Sequence, residues 1–147
     1  MKKNRAFLKW AGGKYPLIDD IKRHLPAGDC LIEPFVGAGS VFLNTEYDAY
    51  ILADINNDLI NLYDIVKTRT DEFVRDARVL FTPEFNDADR FYVLRAEFNA
   101  SSDPYRRSVL FLYLNRHCYN GLCRYNLSGA FNVPFGRYKK PYFPEEE

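Results

Sequence analysis

"EPFVGAGSVF", Glu33 to Phe42, sets two glycines two residues apart directly after an apolar run. That run, Cys30-Leu31-Ile32, reads as a short buried strand leading into Glu33-Pro34-Phe35. Ser40 to Tyr47 follows with a helical pattern, and Tyr50-Ile51-Leu52-Ala53-Asp54 reads as a second buried strand. Strand, glycine turn, helix and strand in that order form a βαβ unit, which predicts an α/β fold with a parallel sheet. A glycine turn at the carboxyl end of such a strand lets the backbone close on a ligand.

The spacing narrows the ligand. A phosphate-cradling P-loop needs Gly-x-x-x-x-Gly-Lys-Ser/Thr, whereas Gly39 is followed by Ser40-Val41-Phe42 with no lysine. The dinucleotide pattern Gly-x-Gly-x-x-Gly needs a third glycine where this chain has Phe42, and that small residue permits close helix–strand packing. What remains is a Gly-x-Gly turn with an acid, Asp54, ending the next strand. An acid there suits ribose hydroxyls of a nucleoside without a pyrophosphate, such as S-adenosylmethionine. The plainer alternative is a structural tight turn with a strand-end acid that caps the next helix.

Working outward, Leu17, Ile18, Ile21 and Leu25 predict a helix over 15–26, stopped by Pro26-Ala27-Gly28. Leu59, Ile60, Leu62, Tyr63, Ile65 and Val66 predict another after Asn57, with three more over about 70–81, 84–99 and 104–117. Asp103-Pro104 is a strong start for the last, an N-cap acid with proline at the first helical position. "LCRYNLSGAFNVPF", Leu122 to Phe135, holds two short extended runs around Ser128-Gly129 and predicts a β-hairpin. Two parallel strands cannot cover both faces of a sheet, and "FPEEE" at 143–147 has the look of a helix start. Both features predict the N-terminal part of a larger protein.

The chain has 147 residues, enough for one domain with a core. Its longest apolar run, Val109 to Leu114, is far short of the roughly 20 residues that span a bilayer. Lys9 interrupts the apolar stretch that a signal peptide would need after Lys2, Lys3 and Arg5. Cys30, Cys118 and Cys123 form no disulfide framework. These points predict a cytoplasmic protein without membrane association. His117, Cys118 and Cys123 match no zinc spacing, so no metal site is expected.

Formal net charge is zero, but its distribution is uneven. From Pro104 to Pro144 there is no acid, while Arg106, Arg107, Arg116, Arg124, Arg137, Lys139 and Lys140 are basic. Lys2, Lys3, Arg5, Lys9 and Lys14 form a second cluster before the first acid, Asp19. Such a distribution fits a face for a polyanion, or merely a solvated face.

Four segments in order then decide between these readings. "KWAGGK" (Lys9 to Lys14), "EPFVGAGSVF", "LADIN" (Leu52 to Asn56) and "YNGLCRYN" (Tyr119 to Asn126) closely resemble the Dam family of DNA adenine-N6 methyltransferases that act at GATC. The resemblance runs along essentially the whole chain. It implies an S-adenosylmethionine-dependent, Rossmann-like methyltransferase sheet, incomplete here, with a helical plus β-hairpin target-recognition insert. It divides the chain into the start of the cofactor-binding domain (1–57), the recognition region (58–140) and the beginning of a return to the catalytic domain (141–147).

The resemblance also implies roles. Trp10, Lys14, Phe35, Gly37, Gly39 and Asp54 would hold S-adenosylmethionine. Lys14 would meet its methionine carboxylate, and an aromatic face suits the sulfonium cation. In double-stranded DNA, Lys9 and Arg124 would read guanines, Leu122 and Pro134 would touch thymine methyls, and Tyr119 and Asn120 would fill the stack when the target adenine flips out. Arg116, Arg137, Tyr138, Lys139 and Lys140 would bind phosphates. A monomer, bacterial or phage-encoded and associated with the nucleoid through DNA, completes this picture.

One motif is missing. Methyltransferases of this kind carry Asp-Pro-Pro-Tyr, which holds the amine for in-line attack. Asp103-Pro104-Tyr105 lacks the second proline, and Asn132-Val133-Pro134-Phe135 has valine in its place. No residue of the chain is assigned a catalytic role, and the 147 residues alone are expected to be inactive. A non-catalytic DNA- or S-adenosylmethionine-binding module is the alternative, and a dinucleotide oxidoreductase is a weaker third.

Overall fold

The computed structural model describes residues 2–144. It is a mixed α/β structure in which a two-stranded parallel sheet adjoins a helical cluster. Helix α1 (Ile18–His24) is entered through a 3₁₀ turn at Tyr15–Leu17. It stops at Leu25, which is extended with ψ 129° because it precedes Pro26. Strands β1 (Cys30–Glu33) and β2 (Ala49–Leu52) pair in parallel, with Cys30 opposite Ala49 and Ile32 opposite Ile51. Helices α2 (Asn57–Thr68), α3 (Thr70–Val79), α4 (Ala88–Ala100) and α5 (Pro104–His117) follow.

The helix expected over Ser40 to Tyr47 does not form; only a 3₁₀ turn, Phe42–Asn44, is present. Side chains take the carbonyls that an α-helix would use. Asn44 Nδ2 donates to the Ser40 carbonyl at 2.8 Å, and Thr45 Oγ1 donates to that of Val41 at 3.0 Å. Tyr50, from β2, reaches back to accept from the Tyr47 N–H at 2.9 Å and donate to the Thr45 carbonyl at 2.7 Å. These bonds end the turn after one cycle. The crossover between the two parallel strands is therefore a knot of turns rather than a helix.

Helices α2, α4 and α5 start where side-chain oxygens cap them. Asp103 accepts from the N–H groups of Tyr105 and Arg106, both at 3.2 Å, with Pro104 at the first helical position. Asn56 caps α2 through the Leu59 N–H at 3.0 Å, and Asp87 caps α4 through Asp89 and Arg90.

Helix α5 is the hub. Every residue from Ser108 to His117 is buried, so the helix is enclosed on all sides. It packs against α2, α3 and α4, and its Leu110, Phe111 and Leu114 meet Leu59, Leu62, Phe73, Phe91 and Phe98 in one core. The sheet lies outside this core. Its alternate residues Ile32 and Ile51 are 62% and 55% exposed, while the glycine turn after β1 carries Ala38 into the helical cluster.

The expected hairpin is a reversal without regular strands. Tyr125 and Phe131 form an antiparallel bridge, and Asn126 exchanges main-chain bonds around the turn with Gly129 and Ala130, both at 2.9 Å. Asn126 Oδ1 also accepts from the N–H groups of Ser128 and Ala130 at 3.0 Å. The returning arm is pinned to α4 as well as to the outgoing arm, whose Arg124 carbonyl accepts from the Asn132 N–H at 3.1 Å. Asn99 bonds both the N–H and the carbonyl of Phe131, at 2.7 and 3.0 Å, and Arg95 donates to the Val133 carbonyl at 3.0 Å. The helix start expected at the C-terminus falls on Glu145 to Glu147, outside the described residues.

Candidate functional site

Two sets of residues expected to bind ligands converge on the N-terminal segment. The first surrounds the glycine turn. Gly37 and Gly39 have φ of +52° and +79°, the left-handed region. The turn is closed by Asp54, whose Oδ2 accepts from the Gly37 N–H at 3.1 Å while Oδ1 accepts from the Asn56 N–H at 3.0 Å. A Val36 N–H to Ala53 carbonyl bond of 2.9 Å extends the strand pairing into the turn. Each Asp54 oxygen thus has one main-chain partner and keeps further accepting capacity for a ligand.

Trp10 lies against the face of Gly37: a Cβ there would stand 3.1 Å from Trp10 Cδ1 and 3.2 Å from Nε1. Lys14 Nζ donates to the Phe35 carbonyl at 3.2 Å, which brings a cation to the rim of the turn. Phe35 itself is 77% exposed. Together with Ala11, Gly12 and Gly13 these residues line a hollow of about 180 Å³. Pockets that enclose a drug-sized ligand run to roughly 300–1,000 Å³, so this hollow is a partial cradle. Five of the six residues expected at the cofactor (Trp10, Lys14, Phe35, Gly37 and Asp54) line it, and Gly39 does not: a Cβ added there would meet Phe42 and Tyr63 at 3.8 Å.

Tyr63 was not legible in the sequence as a member of this site. It projects from α2 and its hydroxyl donates to the Gly37 carbonyl. Burial, reinforced by the charges of Asp54 and Glu33, pushes its phenol well above the usual tyrosine range, so it remains a donor. Glu33 is buried beside the turn, with Oε1 lacking a hydrogen-bond partner. Burial raises its carboxyl too, against a smaller opposing effect from Phe42 and Lys14.

The second set surrounds the Tyr119–Gly121 turn at the end of α5. Tyr119 and Asn120 are exposed, and Asn120 takes the left-handed conformation with φ +54°. Tyr119 N–H donates to the Pro134 carbonyl at 2.8 Å and Gly136 N–H to that of His117 at 2.8 Å, which ties the turn to the returning arm. Tyr138 accepts from the Asn120 N–H at 2.9 Å, and its ring lies 4.2 Å from Lys9 Nζ. Arg124, exposed, is steadied by Asn132 through Nε at 2.7 Å and Nη2 at 3.3 Å, and Nη1 has no acceptor among the described residues. Pro134 and Arg137 are exposed and Leu122 is half-buried, and the backbone bonds set the outgoing and returning arms side by side.

Several basic residues of the acid-free stretch are already engaged. Arg106 pairs with Glu97 at 2.6 and 3.0 Å, and Arg107 with Asp58 at 2.8 and 3.0 Å. Arg116 is buried, donates to the Phe7 carbonyl and lies 5.4 Å from the Tyr142 ring centre. Its burial in this structure runs against its expectation as an open phosphate contact. Arg124, Arg137, Lys139 and Lys140 have no carboxylate within ion-pair distance among the described residues.

His117 and Cys118 sit beneath this turn as core groups. His117 Nδ1 donates to the Tyr113 carbonyl at 2.8 Å and its ring stacks on Tyr113 at 4.0 Å. Burial lowers its pKa to about 4. Burial likewise pushes the Cys118 thiol up to about 12, and Sγ donates to the Leu122 carbonyl at 3.3 Å. No group of three or more candidate metal ligands occurs among the described residues, and no helix there is long and apolar enough to cross a membrane.

Comparison with known proteins gives this arrangement a family. Residues 10–147 match the model of the D12 class N6 adenine-specific DNA methyltransferases. Over all 147 residues the chain is 84% identical to a DNA adenine methylase of Serratia marcescens, of which it covers 54%. It is 77% identical to that of Escherichia coli strain K12 and 60% to that of Vibrio cholerae, covering 53% of each. The chain thus spans about half the length of the curated relatives it matches. It belongs to the D12 class of N6 adenine-specific DNA methyltransferases.

Proposed function

We propose that the chain is the cofactor- and target-binding part of a DNA methyltransferase that moves a methyl group from S-adenosylmethionine to N6 of adenine in GATC. The observation that carries the reading is the convergence of Trp10, Gly37 and Asp54 on one cradle, with Lys9 directed to the recognition turn. S-adenosylmethionine, when bound, supplies an electrophilic methyl on a sulfonium centre. The cradle suits its parts. Lys14 offers a cation for the carboxylate, Trp10 an aromatic face for the sulfonium, and Asp54 acceptors for the ribose. The glycine turn with Phe35 lets the backbone follow the ligand closely.

On the DNA side, Arg124 and Lys9 read guanines, Leu122 and Pro134 meet thymine methyls, and Tyr119 and Asn120 fill the gap left by a flipped adenine. Arg137 and Tyr138, with Lys139 and Lys140, hold phosphates. The exposure of Tyr119, Asn120, Arg124, Pro134 and Arg137 supports this assignment. In this reading residues 1–57 start a Rossmann-like cofactor domain, 58–140 form the recognition insert, 141–147 return towards the catalytic domain, and the protein acts as a monomer in the bacterial cytoplasm.

The 147 residues contain no Asp-Pro-Pro-Tyr. For this chain by itself that favours a second reading, a module that binds DNA and S-adenosylmethionine without methyl transfer. Titrating the chain with S-adenosylhomocysteine, NAD and a GATC duplex tests the common part of both. Binding of S-adenosylhomocysteine in preference to NAD is expected, and the opposite preference overturns it. Labelled-methyl transfer to the duplex separates the two readings.

A further inference from the structure

Lys9 and Trp10 are neighbours in sequence but serve different ends of the molecule. The Trp10 ring lies on Gly37 in the cradle. The Lys9 side chain runs over Gly121, where an added Cβ would overlap Lys9 Cβ, and ends above the Tyr138 ring at 4.2 Å. The dipeptide is thus a strap between the cradle and the recognition turn. It belongs to no helix or strand, so its own backbone ladder does not hold it.

Asn115 does. This residue of α5 is 3% exposed, an amide enclosed in the core. Its Oδ1 accepts from the Lys9 N–H at 2.9 Å, and its Nδ2 donates to the Lys9 carbonyl at 2.7 Å. One side chain thereby imitates the paired bonds of a strand neighbour, across 106 residues of sequence. Of the side chains along α5, none but an amide of this length offers one donor and one acceptor side by side. A buried amide left without these bonds is costly, which fixes the strap in one position.

From this geometry we infer that Asn115 is a positioning residue that holds Lys9 and Trp10 as one unit, so that DNA held at Lys9 and a nucleoside held at Trp10 strengthen one another. The inference rests on the ligand assignments proposed above. A strap already ordered by one ligand need not be ordered again for the other, which gives positive coupling without a large change of shape.

Trp10 is the single tryptophan, so its emission reports the cradle directly. The experiment is a titration of the 147-residue chain with S-adenosylhomocysteine, with and without a GATC duplex, followed by Trp10 fluorescence. In the unaltered chain the duplex shifts Trp10 emission and tightens S-adenosylhomocysteine binding about fivefold or more. Asn115→Asp keeps size and the acceptor but loses the bond to the Lys9 carbonyl; Asn115→Ala loses both bonds. In each, affinities for both ligands fall together and the coupling factor moves towards one, with circular dichroism unchanged. Should Asn115→Ala fail to fold, Asn115→Asp and Gly121→Ala, which displaces Lys9 from the opposite side, decide the matter. A folded Asn115 variant that keeps the full coupling, or loses one ligand alone, overturns the inference, as does an unaltered chain that binds both ligands independently. An unaltered chain that binds neither ligand overturns the functional reading itself, and this inference with it.

Discussion

Asp58 and Arg107 face one another across α2 and α5 through two bonds of 2.8 and 3.0 Å, and a third residue, Tyr125, donates to the same carboxylate at 2.7 Å. Arg107 Nη1 also donates to the carbonyls of Phe98 and Ser101 at 2.6 and 3.0 Å. Two helices, the end of α4 and the start of the hairpin loop thus meet at one largely buried ion pair. Burial, with Cys123 and Asp58 close by, pushes the Tyr125 phenol far above its usual range and keeps it a donor.

Removing one partner strands the other charge. Asp58→Ala is expected to cost about 3 kcal/mol of stability, read from urea denaturation. Tyr125→Phe, which deletes one hydrogen bond, should cost about 1 kcal/mol. Equal losses for the two variants would contradict the central place of the ion pair.

The glycine turn allows a paired comparison. Gly37→Ala and Gly39→Ala both force a side chain into positive φ, a strain of roughly 1–2 kcal/mol. At Gly37 the new Cβ also meets the Trp10 ring at 3.1 Å, whereas at Gly39 its nearest neighbours are 3.8 Å away. Gly37→Ala should therefore weaken S-adenosylhomocysteine binding more, by about tenfold relative to Gly39→Ala, an increment of roughly 1.4 kcal/mol. Calorimetric titration of both variants makes the test, with Trp10 emission shifted only in Gly37→Ala.

His117 gives a pH dependence with a definite sign. Its pKa falls from 6.5 to about 4 in the folded chain, through burial. Between those values the unfolded chain binds more protons, so stability is greatest above pH 6.5 and drains away as pH falls towards 4. The whole window is worth about 3 kcal/mol. Urea midpoints between pH 7 and pH 4 should fall accordingly, and His117→Phe, which keeps a ring for Tyr113 and Phe81, should flatten that part of the curve.

Arg124 tests sequence reading. Arg124→Ala should relax discrimination at one guanine of GATC by about 1–3 kcal/mol. Competition between duplexes altered at single positions measures it. A uniform loss on every duplex, with a shallower salt dependence, would make Arg124 a phosphate contact instead.

Local signals in the chain carried the fold a long way. The Asp103-Pro104 cap, the parallel strands and the turn between them follow from short-range spacing, and each is present. The helix over Ser40 to Tyr47 did not form because Tyr50 and Thr45 claim its carbonyls, and periodicity does not register such competition. For the site, motifs identified Trp10, Gly37 and Asp54 as candidates. Tyr63 and Asn115 stayed hidden because each looks like an ordinary member of a helix, and their partners lie 26 and 106 residues away. Charge counting saw a basic stretch but not that Arg106 and Arg107 are spent on Glu97 and Asp58.

The enclosure of α5 has a consequence for hydrogen exchange. Its amides from Ser108 to His117 lie in a helix buried on every side, so they exchange with solvent chiefly when the whole chain unfolds. The amides of β1 and β2, in a sheet with exposed Ile32 and Ile51, exchange through smaller local openings. The strap at Lys9, whose N–H is bonded to Asn115, should share the slow protection of α5 although it lies in no regular element.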